Sequence, residues 1–262
     1  MAIHPTAVVD RRAELGADVE IGPHVVIDGP VKIGAGTRVV AHAYLAGWTE
    51  IGERNEIHPG AVLGGPPQDK NYRGEESYLK IGDRNVIREY VQVHRGTAAR
   101  SATIVGDENY LMVGAHVGHN CRLGNEIVLA NGALLGGYVE VADRAFISGH
   151  CVVHQFVRVG ELSLMRGLSG TSRDVPPYAI VDWQHTVRGV NVVGLKRAGF
   201  DETRIRAVKE AFRDLFLNGR NLSLAVKELE ERGGLSPEVR NLLSFIKESK
   251  RGVCFGRQRG PD

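Results

Sequence analysis

The chain has 262 residues, 42% of them hydrophobic, which suffices for one large domain or two modest ones around a sizeable core. Thirty-three basic side chains against 31 acidic ones leave it near neutral, so charge gives no reason to expect nucleic acid as a partner. Three cysteines without framework spacing exclude a disulfide scaffold, and neither a basic leader nor an apolar run of about eighteen residues occurs, so a cytoplasmic protein without stable membrane insertion is expected.

From Ile3 onward an aliphatic residue recurs every sixth position, through Val9, Leu15, Ile21, Ile27, Ile33, Val39, Leu45, Ile51, Ile57 and Leu63. The same phase returns at Ile81, Ile87 and Val93 and again from Val105 to Met165. Four residues after these aliphatics the side chain is usually small, as at Ala43, Ala61, Ala115, Cys121, Ala133 and Cys151. With 33 glycines and only 6% aromatics, this pattern describes short strands joined by sharp corners, a parallel β-helix of hexapeptide repeats in which three hexads complete one triangular coil. Its left hand is taken from known hexapeptide folds, since the periodicity itself fixes no hand.

Two insertions, near 64–80 and 98–103, interrupt the repeat without shifting its phase, so they are expected to leave the stack intact and project as loops from its edge. The first carries Gln68, Asp69, Lys70, Asn71, Tyr72 and Arg73. The repeat runs over 1–175 and ends at Asp174-Val175-Pro176-Pro177-Tyr178; 176–195 reads as a connecting segment and 196–262 as a helical domain capping the last coil. There Asp201 is placed to cap a helix with Ile205, Val208, Phe212, Leu215 and Phe216 on one stripe, followed by helices over 221–231 and 237–247. The last dozen residues are basic (Lys250, Arg251, Arg257, Arg259) and read as a solvated end.

None of the ten histidines falls on an inward position of the repeat, so each faces outward, into solvent, a loop or another subunit. Cys121 and Cys151 do fall inward, as small core residues rather than nucleophiles. His119 combines an outward position with Gly118 before it, which lets a ligand approach the backbone, and Asn120 after it, whose amide can orient the ring. With no serine or cysteine in the setting of an activated nucleophile, the simplest chemistry is direct attack by a substrate hydroxyl or amine on an acyl donor. Metal binding is the competing use, but His116 and His119 lie about 10 Å apart along an extended chain, too far to share an ion unless a corner or a second subunit intervenes.

Taken together, the coils, Gln68-Asp69, the run from Ile81 to Glu89, His94-Arg95-Gly96-Thr97, Ala115-His116-Val117-Gly118-His119, His154-Gln155-Phe156, the Asp174–Tyr178 turn and Gly194-Leu195-Lys196-Arg197 resemble the acyl-ACP:UDP-N-acetylglucosamine O-acyltransferases of lipid A biosynthesis over essentially the whole chain. The resemblance implies a homotrimer with active sites between adjacent β-helices. It implies transfer of a 3-hydroxyacyl chain from acyl carrier protein to the glucosamine 3-position of a UDP-sugar, without any cofactor beyond the phosphopantetheine on the carrier. His119 matches the general base and the Gly137 amide the oxyanion donor. Asp69, Lys70, His94, His116, Asn120, Tyr138, Gln155, Asn191 and Arg197 match positions lining the substrate cleft, and Gly167 one that limits acyl length. Arg158, Arg166, Lys196 and Arg197 would steer an acidic carrier protein.

The departures from the family pattern are Asn120 and Tyr138, where aspartate and histidine are usual, Lys70 one place early, and Ala198 in place of a second arginine. They raise a 3-amino sugar as an alternative acceptor. A CoA-dependent sugar acyltransferase, a zinc carbonic anhydrase of the same coil and a catalytically silent scaffold are the other readings.

Overall fold

A computed structural model describes residues 2–219 and 221–256; Arg257 and Arg259 of the expected basic end lie outside them. Three sheets of 12, nine and eight strands, parallel throughout the repeat, form the faces of a triangular prism, here called A, B and C in the order the chain visits them. The prism is a left-handed β-helix. Partners on adjacent coils are 18 residues apart (Ile3 with Ile21), 30 across the first insertion (Ile51 with Ile81) and 24 across the second (Ile81 with Val105). The insertions therefore add two hexads and one, and whole hexads keep every aliphatic on the inner face.

Most strands are only two or three residues long, so stacking rather than strand length holds the fold together. Inward residues such as Ile27, Leu45, Leu63, Leu111 and Leu129 are fully buried. Most corners turn through a left-handed residue just before the small inward position. These include Asp18, His24, Arg54, Asn120, Tyr138 and Phe156, as well as glycines. The glycines beside the aliphatics answer a different demand. A Cβ on Gly22 would stand 1.6 Å from the Val40 carbonyl oxygen of the next coil.

At one corner the small inward position is filled by a buried amide ladder. The Nδ2 of Asn85 donates to Asn55 Oδ1 and that of Asn109 to Asn85 Oδ1, both at 3.0 Å. Each Oδ1 also takes a backbone N–H from the coil above, at 2.8 Å for Asn85 and 2.9 Å for Asn109. All three side chains are thus satisfied inside an apolar prism, as buried amides must be.

The faces differ on their outer sides. Face C is charged on all coils but one, with Glu14 and Lys32 ion-paired at 3.0 Å, Glu50 and Lys80 at 3.3 Å, then, past Ile104, Arg122, Glu140 and Arg158 in register. Face A starts charged (Glu20, Arg38, Glu56) but continues as Val86, Tyr110, Val128, Phe146 and Leu164.

The segment expected as a connector over 176–195 is largely regular structure. Ala179–Asp182 adds a further parallel strand to face A and hairpins onto Thr186–Val190, and a short helix α1, Val192–Arg197, follows. The two prolines had suggested a break, yet they only turn the corner into this strand. Helices α2 (Glu202–Phe212), α3 (Leu222–Arg232) and α4 (Pro237–Lys247) are capped by the side chains of Asp201, Asn221 and Ser236. The stripe expected to run to Phe216 continues past α2 as a π-helical turn, Arg213–Leu217. The helices dock on the final coils through Asn241, which donates to Glu161 and Tyr178, and Arg158, which stacks on Phe245 at 4.3 Å. No helix among the described residues is long and apolar enough to cross a membrane.

Candidate active site

His119 lies at the corner between faces B and C, half-buried, in an open groove walled by Gln68, His94, His116, Leu134, Val152 and Gln155. Its ring is laid against Gly137: a Cβ there would fall 2.5 Å from Cε1 and 2.6 Å from Nε2, so no other residue fits beneath the imidazole. The Nδ1 side faces Asn120 Oδ1 at 3.0 Å. Tyr138 meets the ring edge-on at 5.3 Å between centroids and stacks on Phe156 at 4.9 Å.

The amide of Gly137 is available for a reason visible in the coil geometry. Along the corner between faces C and A, the backbone N–H of Glu53, Asp83, Asp107 and Asn125 each donates to a side-chain oxygen of the next coil (Asp83, Asp107, Asn125, Asp143) at 2.7–2.8 Å. The equivalent places at the B–C corner are His119, Gly137 and Gln155, and Gly137 N–H meets no acceptor among the described residues. Among the described residues no such side chain caps these three places, so the Gly137 N–H is left as a free donor beside the His119 imidazole.

His94 and His116 sit below His119 with ring centroids 5.1 Å apart. His94, expected to face outward, is outside the prism yet only 9% exposed, because the first insertion folds over it. Its Nδ1 lies 2.8 Å from the Pro66 carbonyl, so that nitrogen carries the proton, and its Nε2 is buried without a partner. Burial lowers the pKa of His94, and burial together with the neighbouring His94 and His119 charges lowers that of His116. Both rings are held toward their neutral forms.

The insertion itself is pinned by Arg95, to which sequence reading assigned no role. This guanidinium is 8% exposed, donates to the Gly64 carbonyl at 2.8 Å and to Tyr72 Oη at 2.7 Å, and lies over the rings of Trp48 and Tyr72 at 5.6 and 5.5 Å. The loop brings Gln68 into the groove, and Asp69 and Lys70 make contacts within the loop. Asp69 Oδ1 accepts from the Asn71 N–H at 2.9 Å, and the Lys70 carbonyl accepts from Arg73.

Three of the matched positions are not brought to His119 within the chain. Asn191 is 6% exposed and spends its amide on capping α1: Oδ1 accepts from Gly194 N–H at 3.1 Å while Nδ2 donates to the Leu162 carbonyl at 2.9 Å. Arg197, exposed at the end of α1, borders a second groove with Arg144, Phe146 and Leu164 on face A. Gly167 lies at the corner between faces A and B, where a Cβ would meet only the Gly149 carbonyl at 3.5 Å. Of the four basic groups expected to steer a carrier protein, Arg158 is committed to Asp174 and Glu248, and Arg166 to Asp182. Lys196 and Arg197 have no ion pair among the described residues.

Residues 174–254 match the family model described as UDP N-acetylglucosamine O-acyltransferase, domain 2, and residues 12–47 the bacterial transferase hexapeptide model. The acyl-[acyl-carrier-protein]–UDP-N-acetylglucosamine O-acyltransferase of Alkalilimnicola ehrlichii is 51% identical over 253 residues, 96% of this chain and 98% of its own. The protein of that name from Halorhodospira halophila is 47% identical over the same span and coverage. Among solved structures, the UDP-N-acetylglucosamine acyltransferase of Bacteroides fragilis superposes with a TM-score of 0.93 at 40% identity, covering 96% of this chain and 99% of that one. The Francisella novicida enzyme gives 0.93 at 34%, covering 98% and 95%.

Proposed function

The chain belongs to the family of acyl-[acyl-carrier-protein]–UDP-N-acetylglucosamine O-acyltransferases, and from that premise we propose that it moves a 3-hydroxyacyl chain from acyl carrier protein to the glucosamine 3-position of UDP-N-acetylglucosamine, the first step of lipid A biosynthesis, with His119 as general base. Its Nε2 takes the proton of the sugar hydroxyl as that oxygen attacks the thioester carbonyl. The resulting oxyanion accepts the N–H of Gly137. Collapse breaks the C–S bond, and the departing thiolate recovers the proton from the imidazolium, so no bond to the protein forms and no cofactor is consumed. A placed base of this kind contributes roughly 10²–10⁴-fold, and one oxyanion donor roughly 3 kcal/mol.

The observation that carries this reading is the contact between the His119 ring and Gly137, which sets base and free amide around one spot. The exposed side chains of Leu134 and Val152 beside it offer an apolar strip for the acyl chain. Neutral His94 and His116 offer hydrogen bonds to the sugar without competing for its proton.

Among the described residues no lysine or arginine is one of the side chains lining the groove, while Arg197 waits on a groove of its own on face A. A homotrimer in which the apolar half of face A meets face B of the next protomer, with charged face C outward, supplies from the neighbour the cation that a nucleotide diphosphate calls for. In this arrangement Asn191 sets α1 rather than touching the ligand, and Asp69 and Lys70 shape the loop that presents Gln68.

The test is to incubate the protein with UDP-N-acetylglucosamine and a panel of acyl carrier protein thioesters and weigh the products, with the 3-amino sugar and a CoA thioester as rival acceptor and donor. The reading expects an ester product from carrier-bound 3-hydroxyacyl chains. Equal turnover from CoA, or preference for the amino sugar, would replace it with one of the alternatives.

A further inference from the structure

The second insertion has no part in the transfer as described, yet both of its ends are fastened to the neighbour of the base. Thr97 is half-buried and donates twice to a single atom, its backbone N–H lying 3.0 Å and its Oγ1 2.9 Å from Asn120 Oδ1. At the other end the backbone N–H of Asn120 donates to Thr103 Oγ1 at 2.8 Å. Asn120 itself is left-handed, with φ 61°, a conformation that asparagine tolerates better than most residues.

A main-chain N–H can only donate, so the amide atom that Thr97 meets is the oxygen, and the orientation of the Asn120 amide is fixed by that contact. An amide oxygen can only accept. The nitrogen facing it, His119 Nδ1 at 3.0 Å, must therefore carry the ring proton. The lone pair is left on Nε2, beside Gly137.

We propose that Thr97 is a positioning residue for the transfer, selecting through Asn120 the tautomer of His119 in which Nε2 is basic. The role exists because residue 120 is an amide. A carboxylate accepts through either oxygen, but an amide has a wrong orientation, in which Nδ2 donates to Nδ1 and the ring proton moves to Nε2, where it blocks proton abstraction. With Thr97 in place that orientation sets an N–H₂ group against two further donors. The insertion, one hexad long, is what brings Thr97 there.

This proposal rests on reading His119 as the base, and the experiment separates the two. In the full chain labelled with ¹⁵N-histidine, long-range ¹H–¹⁵N correlation is expected to show His119 protonated on Nδ1, with an unprotonated Nε2. Thr97→Val removes the hydroxyl donor while the main-chain N–H still opposes the flipped amide, so the other tautomer should become measurably populated and kcat should fall by up to about five- to tenfold, the weight of one neutral hydrogen bond, with KM for the UDP-sugar unchanged. Thr97→Ser should restore both, and in an Asn120→Asp background Thr97→Val should no longer move the tautomer. A wild-type His119 with its proton on Nε2 overturns the proposal without any variant. So does a Thr97→Val protein with the wild-type tautomer and kcat. Full turnover by His119→Ala would instead remove the base while leaving the tautomer assignment standing.

Discussion

Gly137 is where the smallest side chain has the largest consequence. Because a Cβ would lie 2.5–2.6 Å from the His119 ring, Gly137→Ala must push the imidazole out of the groove while leaving the coil, whose inward residues are untouched. The expected outcome is a fall in kcat of at least about 10²-fold with an unchanged melting temperature; normal turnover would show that the ring does not work from this position. His94 makes a pH statement. Its folded pKa is lowered from 6.5 by burial, so below about that pH the unfolded chain binds a proton that the folded chain resists, and stability falls as pH falls. His94→Gln should flatten the slope of melting temperature against pH below 6.5, and a slope identical to wild type would place the titration elsewhere. At this scale the sequence made the outward place of His119 legible, because position in the repeat and a flanking glycine are local signals. It was silent on Thr97 and Arg95, whose roles come from contacts 23 residues away, with Asn120 and with Tyr72. It did not show that the Asn191 amide caps α1, because a helix cap and a ligand contact call for the same side chain.

At the scale of elements, the six-residue period foretold the coils because each hexad repeats the same inward pair. The left-handed corner residues escaped notice, since Arg54, Arg84, Tyr138 and Phe156 occupy them as readily as glycine does. The strand Ala179–Asp182 was missed for another reason: after Met165 the hexad phase is lost although the sheet continues. The amide ladder is the element that ties the coils on either side of both insertions. Asn85→Ala would leave the buried backbone N–H of Asn109 without its acceptor, while Asn55 Oδ1 keeps the residue-85 N–H and Asn109 Nδ2 keeps the Gly124 carbonyl, at a cost of about 1–3 kcal/mol for the one orphaned group. Chemical denaturation should show a drop of that size, and a change under about 0.5 kcal/mol would mean that water or neighbouring groups replace the amide.

For the whole molecule the question is which faces are covered. Ion pairs between coils suit face C to solvent, while Phe146, 36% exposed on face A, and Val152, 50% exposed on face B, suit contact with other copies. In the proposed homotrimer, Phe146→Glu should shift the sedimenting species toward monomer and abolish turnover together, since Arg197 would no longer reach a neighbour's groove. A trimer that persists with full activity would put the interface elsewhere. All of this presupposes that the imidazole against Gly137 does the chemistry, and the most direct measurement of that is single-turnover acyl transfer by His119→Ala beside wild type, both at saturating UDP-N-acetylglucosamine and acyl carrier protein thioester. A loss of roughly 10²–10⁴-fold with unchanged assembly and melting temperature is the expected result; transfer within a few-fold of wild type would contradict the account.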